Sequence, residues 1–188
     1  MTGRVVFVGA GPGAADLITV RGARVIAEAD IIIWASSLVH PGIVAGAKPG
    51  AELVDSASAS LEDIEPLYRR ARAEGLLVAR VHTGDPAIYG ATAEQRDLIR
   101  QLGLEFESVP GVSAYSAAAA RMEVELTVPE VSQSLVLTRL EGGRTPILSR
   151  AELEKLGFKL AIFPVAGFLA MGAALQSVYG EIFKTGST

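Results

Sequence analysis

The stretch His82-Thr83-Gly84-Asp85-Pro86-Ala87-Ile88-Tyr89-Gly90 decides the fold. Leu76-Leu77-Val78-Ala79-Arg80-Val81 precedes it, a short apolar run of the kind that forms a buried strand. Ala91 to Leu102 follows it with helical patterning. The stretch therefore lies at the C-terminal end of a parallel strand, where open α/β sheets place their ligands. Gly84 and Gly90 permit close approach of a backbone or a positive φ, and Pro86 fixes φ and removes an N–H. Asp85 is the one ionised side chain inside the turn. Taken alone, Gly-Asp-Pro reads more readily as an ordinary strand-to-helix turn than as a site. The flanking segments give it weight.

Working outward toward the N-terminus, Arg4 to Val8 is a short apolar strand and Leu17 to Ala29 a helix. Gly9-Ala10-Gly11-Pro12-Gly13 joins them. A glycine-rich strand-to-helix loop is a place for a ligand. The spacing is not G-x-G-x-x-G, no Gly-Lys-Ser/Thr follows, and Pro12 removes an N–H that would cradle phosphate. A pyrophosphate is not the expected ligand; the plainer alternative is a turn that lets helix pack on sheet. Asp30 to Trp34 is a second strand, followed by Ala35-Ser36-Ser37-Leu38-Val39-His40-Pro41, with His40 expected as a loop residue in solvent. Leu53 to Asp55 is a third strand. Ser60 with Asp63 is a capping box, Leu61, Ile64, Leu67 and Ala71 form the inner stripe of the helix it opens, and Gly75 ends that helix.

Toward the C-terminus, Glu105 to Val109 is a fifth strand ending in Pro110-Gly111-Val112-Ser113-Ala114. The helix from Tyr115 to Met122 is made of small residues, so something is expected to pack closely on it. Ser134 to Thr138 reads as another strand. Alternating strands and helices with ligand-type loops after the first, second, fourth and fifth strands predict an α/β fold. Its sheet is mostly parallel, with helices on both faces and all the loops on one edge.

Composition excludes several classes. The 188 residues carry a net charge of −4 and no cysteine. Disulfides, thiolate metal sites and a cysteine nucleophile are ruled out, and neither nucleic acid nor an anionic membrane is an expected partner. Two histidines, His40 and His82, do not make a metal site, and none is expected. No leader or bilayer-spanning run is seen, so a cytoplasmic protein is the expectation.

Six segments, in this order, resemble the tetrapyrrole (corrin/porphyrin) methylase family over residues 1–139. They are Val8-Gly9-Ala10-Gly11-Pro12-Gly13-Ala14-Ala15-Asp16-Leu17-Ile18-Thr19, Ala35-Ser36-Ser37-Leu38-Val39, Val54-Asp55-Ser56-Ala57, Gly84 to Gly90, Val109-Pro110-Gly111-Val112-Ser113-Ala114, and Leu126-Thr127-Val128-Pro129-Glu130-Val131-Ser132-Gln133. The Ser-Ser-Leu-Val and Pro-Glu-Val-Ser-Gln segments point to the branch acting on C11 of a corrin precursor. The resemblance implies S-adenosylmethionine as methyl donor, a tetrapyrrole acceptor and a homodimer. It implies cofactor contacts from Gly84, Asp85, Pro86, Ile88, Tyr89, Ser113 and Ala114. Gly9, Gly11, Pro12, Gly13, Ser36 and Ser37 would face the acceptor, with Asp16 the candidate for a base. A sulfonium needs acceptor oxygens nearby, such as backbone carbonyls or the Asp85 carboxylate, and Arg80 and Arg139 are candidates for pairing with acceptor carboxylates or, equally, for ordinary ion pairs within the protein.

From Glu141 onward the residues resemble another family, the phosphoenolpyruvate mutase/isocitrate lyases, through Gly142-Gly143-Arg144-Thr145-Pro146 and Gly157-Phe158-Lys159-Leu160-Ala161-Ile162-Phe163-Pro164. This tail reads as an αβα unit: a capping box Ser149/Glu152, a C-terminal Gly157, a strand Lys159 to Phe163 and a helix Val165 to Phe183. The expected organisation is a methylase-like domain over 1–140 and a lyase-like fragment over 141–188, a chimera. A diverged methylase with a shortened second domain is the alternative. Two other functional readings compete with methyl transfer: an inactive α/β scaffold, and a lyase activity read from the tail.

Overall fold

In Val5-Val6-Phe7-Val8 every side chain is buried, because the strand has helices on both faces. The computed structural model describes residues 2–130, 133–135, 137 and 150–155. Five strands form one parallel sheet: β1 (Arg4–Gly9), β2 (Ile31–Trp34), β3 (Glu52–Asp55), β4 (Leu77–His82) and β5 (Glu105–Val109), in the order β3-β2-β4-β1-β5. The helices are α1 (Val20–Glu28), α2 (Leu61–Glu74), α3 (Ala93–Gln101), α4 (Ala114–Arg121) and α5 (Arg150–Lys155).

Alternate residues of each strand serve opposite layers. Val6, Val8, Ile32, Ala79 and Val81 pack with Val25 and Ile26 of α1 and with Ile43 and Val44 of the 3₁₀ turn Pro41–Gly46. Val5, Phe7, Ile31, Ile33 and Val78 pack with Ile64, Tyr68 and Ala71 of α2 and Ile99 of α3. Burying such a side chain contributes about 1.5–3 kcal/mol, so these two layers hold the sheet.

The chain leaves β1 toward β2 and leaves β4 toward β5, in opposite directions along the sheet. β1 and β4 are neighbours, so the switch point lies between them, with the Gly9–Gly13 and Gly84–Gly90 loops on its two sides.

Several expectations are corrected. Leu17 does not begin the first helix: Ala15–Leu17 is a 3₁₀ turn, and Thr19 caps α1 by accepting from Gly22 N at 3.1 Å. The helix after β4 begins at Ala93, because Tyr89 and Ala91 have φ of 54° and 47° and break the helical run. The inner face of α2 includes Tyr68, wholly buried, while Leu61 and Leu67 are only half-buried. The Ser60–Asp63 capping box and the left-handed Gly75, φ 71°, are as expected. Of the small residues of α4 only Ala119 is buried among the described residues, and Ala120 is exposed.

Contacts divide the chain into Met1–Glu125 and Leu126–Thr188. Everything above except α5 belongs to the first unit. Ser134, Leu135 and Leu137 lie in no strand, and the rest of that expected strand lies outside the described residues. So do Arg139, Ser149 and the expected turn, strand and helix from Gly157 to Phe183. No helix among the described residues is long and apolar enough to cross a membrane.

Candidate functional site

Three glycine loops meet above the switch point. Gly84 N donates to Gly11 O at 2.7 Å and Gly11 N donates to Gly84 O at 3.2 Å, joining the loops of β4 and β1. Ala10 N donates to His82 O at 2.8 Å. The loop after β5 presses onto both: a Cβ on Gly111 would lie 2.0 Å from Gly84 O and 2.8 Å from Gly9 Cα. A Cβ on Gly9 would lie 2.4 Å from Gly111 N. Glycine is required here because backbones touch, not for conformational freedom alone. Beside Gly84 and Gly13, by contrast, no atom of the described residues lies within 4 Å of an added Cβ. Among the described residues the backbone there borders open space.

Asp85 secures the arrangement. Its Oδ1 accepts from Ala87 N at 2.7 Å and its Oδ2 from Gly111 N at 3.1 Å. One carboxylate thus folds its own loop and ties it to the loop after β5. Pro86 is buried, Ile88 half-buried and Tyr89 55% exposed. Ser113 is the N-cap residue of α4, half-buried, and its hydroxyl makes no capping hydrogen bond. Ala114 is exposed.

The loops after β2 and β3 form a second junction, which the residue pattern alone did not show. Trp34 is opposite Asp55 in the β2–β3 register. Asp55 accepts from Ser36 N at 3.0 Å and Ala57 N at 2.9 Å through Oδ1, and from the Ser36 hydroxyl at 2.5 Å through Oδ2. The Ser36 hydroxyl, the Ser36 amide and the Ala57 amide, in that order, hold the Asp55 carboxyl below its ordinary range. Ser37 is exposed. Asp16 is also exposed, in the 3₁₀ turn after the first glycine loop, and makes no hydrogen bond or ion pair with the described residues.

Beneath this edge Arg80, a candidate for pairing with an acceptor carboxylate, is instead engaged within the protein, in a polar group whose other members sequence reasoning missed. Arg80 donates to Ser56 Oγ at 2.7 Å, to Gln95 Oε1 at 3.2 Å and toward Ile33 O at 3.5 Å. Tyr68 donates to the same Gln95 oxygen at 3.2 Å. Arg80 has no carboxylate partner among the described residues; burial lowers its pKa and pushes the Tyr68 phenol up to about 12. His82 lies against Phe7, ring centroids 5.0 Å apart, with Nε2 buried and unpartnered. Burial, then the Arg80 charge, holds it down at about 4, so it is neutral near pH 7. His40 is exposed, as expected, but it also caps the 3₁₀ turn, because its Nδ1 accepts from Gly42 N at 3.0 Å. No metal-binding cluster occurs among the described residues.

Residues 4–174 match the family model of the Tetrapyrrole (Corrin/Porphyrin) Methylases. The chain belongs to the tetrapyrrole methylases. Within that family it is 46% identical over 153 residues to the cobalt-precorrin-4 C(11)-methyltransferase of Priestia megaterium, covering 81% of this chain and 58% of that protein. It is 50% identical over 135 residues to the precorrin-4 C(11)-methyltransferase of Pseudomonas aeruginosa, covering 72% and 54%. Among solved structures, a cobalt precorrin-4 methyltransferase of cobalamin biosynthesis superposes with TM-score 0.72 at 44% identity, over 81% of this chain and 64% of that one. A uroporphyrin-III C-methyltransferase from Thermus thermophilus complexed with S-adenyl homocysteine gives TM-score 0.57 at 32% identity, over 70% and 53%. This methylase chain spans a little under 60% of the length of the Priestia relative. The methylase match runs through the expected join near residues 140–146 and on to residue 174, and nothing in the comparisons supports a lyase-derived tail.

Proposed function

We propose that this chain carries the S-adenosylmethionine and acceptor sites of a methyltransferase acting on C11 of precorrin-4 or its cobalt form, in cobalamin biosynthesis. The observation that carries the reading is the junction of the Gly9–Gly13, Gly84–Gly90 and Gly111 loops at the sheet's switch point. It occurs in a chain 46% identical to a cobalt-precorrin-4 C(11)-methyltransferase. The open space beside Gly84, the uncommitted Ser113 hydroxyl and the exposed Tyr89 ring fit a cofactor on the β4–β5 side. Gly13, Ser36 and Ser37 fit an acceptor on the β1–β2 side.

S-adenosylmethionine, when bound, supplies an electrophilic methyl group on a sulfonium. What this chain's residues then provide is orientation and the exclusion of water. Backbone carbonyls of the Gly84–Gly90 loop supply acceptor oxygens, while Asp85 acts through the two loops it joins, because both its oxygens are taken by amides. Transfer to carbon releases a proton, and exposed Asp16 is the candidate to take it. Residues 1–140 form the first methylase domain in this reading, and the assembly is a cytoplasmic homodimer.

The test is calorimetric titration of the 188-residue chain with S-adenosylhomocysteine, followed by turnover with precorrin-4. Micromolar binding supports the reading. A folded chain that binds nothing overturns it and leaves the scaffold reading.

A further inference from the structure

We infer that Asp55 is a positioning residue that sets the polarity of Ser36, so that this end of the acceptor site offers lone pairs and takes hydrogen-bond donors. The inference rests on the acceptor-side reading of Ser36 proposed above.

A carboxylate can only accept hydrogen bonds, and a serine hydroxyl has one proton. The Ser36 proton is committed to Asp55 Oδ2 at 2.5 Å, while the Ser36 and Ala57 amides fill Oδ1. The Ser36 oxygen therefore shows only lone pairs to whatever it meets, and Ser36 is exposed. The negative charge of Asp55 beside it opposes a carboxylate and favours an N–H. The junction is also held from below: Ser56 N donates to Trp34 O at 2.8 Å, and Arg80 holds the buried Ser56 hydroxyl at 2.7 Å. A metal-free tetrapyrrole precursor such as precorrin-4 carries carboxylates on its rim and N–H groups on its ring nitrogens. The Ser36–Asp55 pair selects the second kind.

Asp55→Asn tests this with little change of shape. Its carbonyl oxygen can still accept from both amides, but its NH₂ now faces Ser36. The hydroxyl must then accept from the amide and turn its own proton outward, which reverses the polarity. Acceptor binding is followed by absorbance titration with precorrin-4, and donor-side binding by calorimetry with S-adenosylhomocysteine. The expected result for D55N is at least tenfold weaker precorrin-4 binding with S-adenosylhomocysteine affinity unchanged within twofold. S36A weakens precorrin-4 severalfold, S36T restores it, and D55N adds no loss in the S36A background, where no hydroxyl remains to reverse. Wild-type precorrin-4 affinity in D55N, multiplying effects of the two substitutions, or a matching loss of S-adenosylhomocysteine affinity overturns the inference. A wild-type chain that binds S-adenosylhomocysteine but no precorrin-4 overturns it and spares the cofactor-side reading. Binding of neither overturns both.

Discussion

The Gly111 amide donates to the Asp85 carboxylate at 3.1 Å across a sequence separation of 26 residues, so one side chain joins the loops that follow β4 and β5. The same carboxylate folds its own loop through Ala87 N at 2.7 Å. Hydrogen bonds to a charged group contribute about 1.5–3 kcal/mol each, with partial exposure favouring the low end. We expect Asp85→Ala to lower stability by about 3 kcal/mol and S-adenosylhomocysteine affinity at least tenfold. Urea titration and calorimetry measure the two effects, and unchanged affinity would show that the junction is not part of the cofactor site.

Backbone contact at Gly111 makes a sharper prediction. The added methyl of Gly111→Ala would sit 2.0 Å from Gly84 O, and neither neighbour is a flexible side chain. Overpacking of this kind costs about 1–3 kcal/mol, and the upper end is expected because backbone has to move. Gly13→Ala meets no atom of the described residues within 4 Å, but φ of 125° strains it. Its expected cost is about 1–3 kcal/mol, from conformation alone. A urea midpoint of Gly111→Ala equal to that of the wild type would contradict the contact.

Ala91 has φ of 47° directly after Gly90, whose own added Cβ would meet Pro86 O at 2.2 Å. A left-handed alanine costs about 1–2 kcal/mol, of which glycine recovers part after its larger unfolded-state entropy. Ala91→Gly is therefore expected to raise stability by about 0.5 kcal/mol. A lower urea midpoint for the variant would show that Ala91 makes compensating contacts.

The pH dependence follows from His82. Its imidazole is held at about 4, against 6.5 when unconstrained, by burial first and Arg80 second. Below pH 6.5 the unfolded chain binds a proton that the folded chain refuses until about 4, so stability falls as pH drops through that window. The slope reaches at most about 1.4 kcal/mol per pH unit. Asp30 is held low chiefly by Lys48, and Asp55 chiefly by the Ser36 hydroxyl. Both lose their contribution only as pH falls below about 3.8, outside this window. Urea midpoints should drop between about pH 7 and 5 in the wild type and stay level in His82→Phe. Parallel curves for the two proteins would remove His82 as the cause.

Much of this fold is legible in local pattern. Strands such as Val5-Val6-Phe7-Val8 and Ile31-Ile32-Ile33 are continuous apolar runs because a parallel sheet is covered on both faces, and that rule needs no coordinates. The Ser60–Asp63 box and Gly75 mark helix ends through bonds spanning only a few residues. Gly9, Gly84 and Gly111 are also legible as ligand-type loops, since each follows a strand whose C-terminal end reaches the same edge. What sequence does not supply is the pairing between loops. Asp85 reads as a charge available to a ligand until Gly111, distant in the chain, is found on its second oxygen. Asp55 reads as the end of a strand until the β2–β3 register sets it beside Ser36. Arg80, Tyr68 and Gln95 lie on three different elements, and only the packing of α2 and α3 on the sheet brings them together. Periodicity reports which face is buried; strand order and register decide which distant groups share an edge, and the site's electrostatics follow from that order.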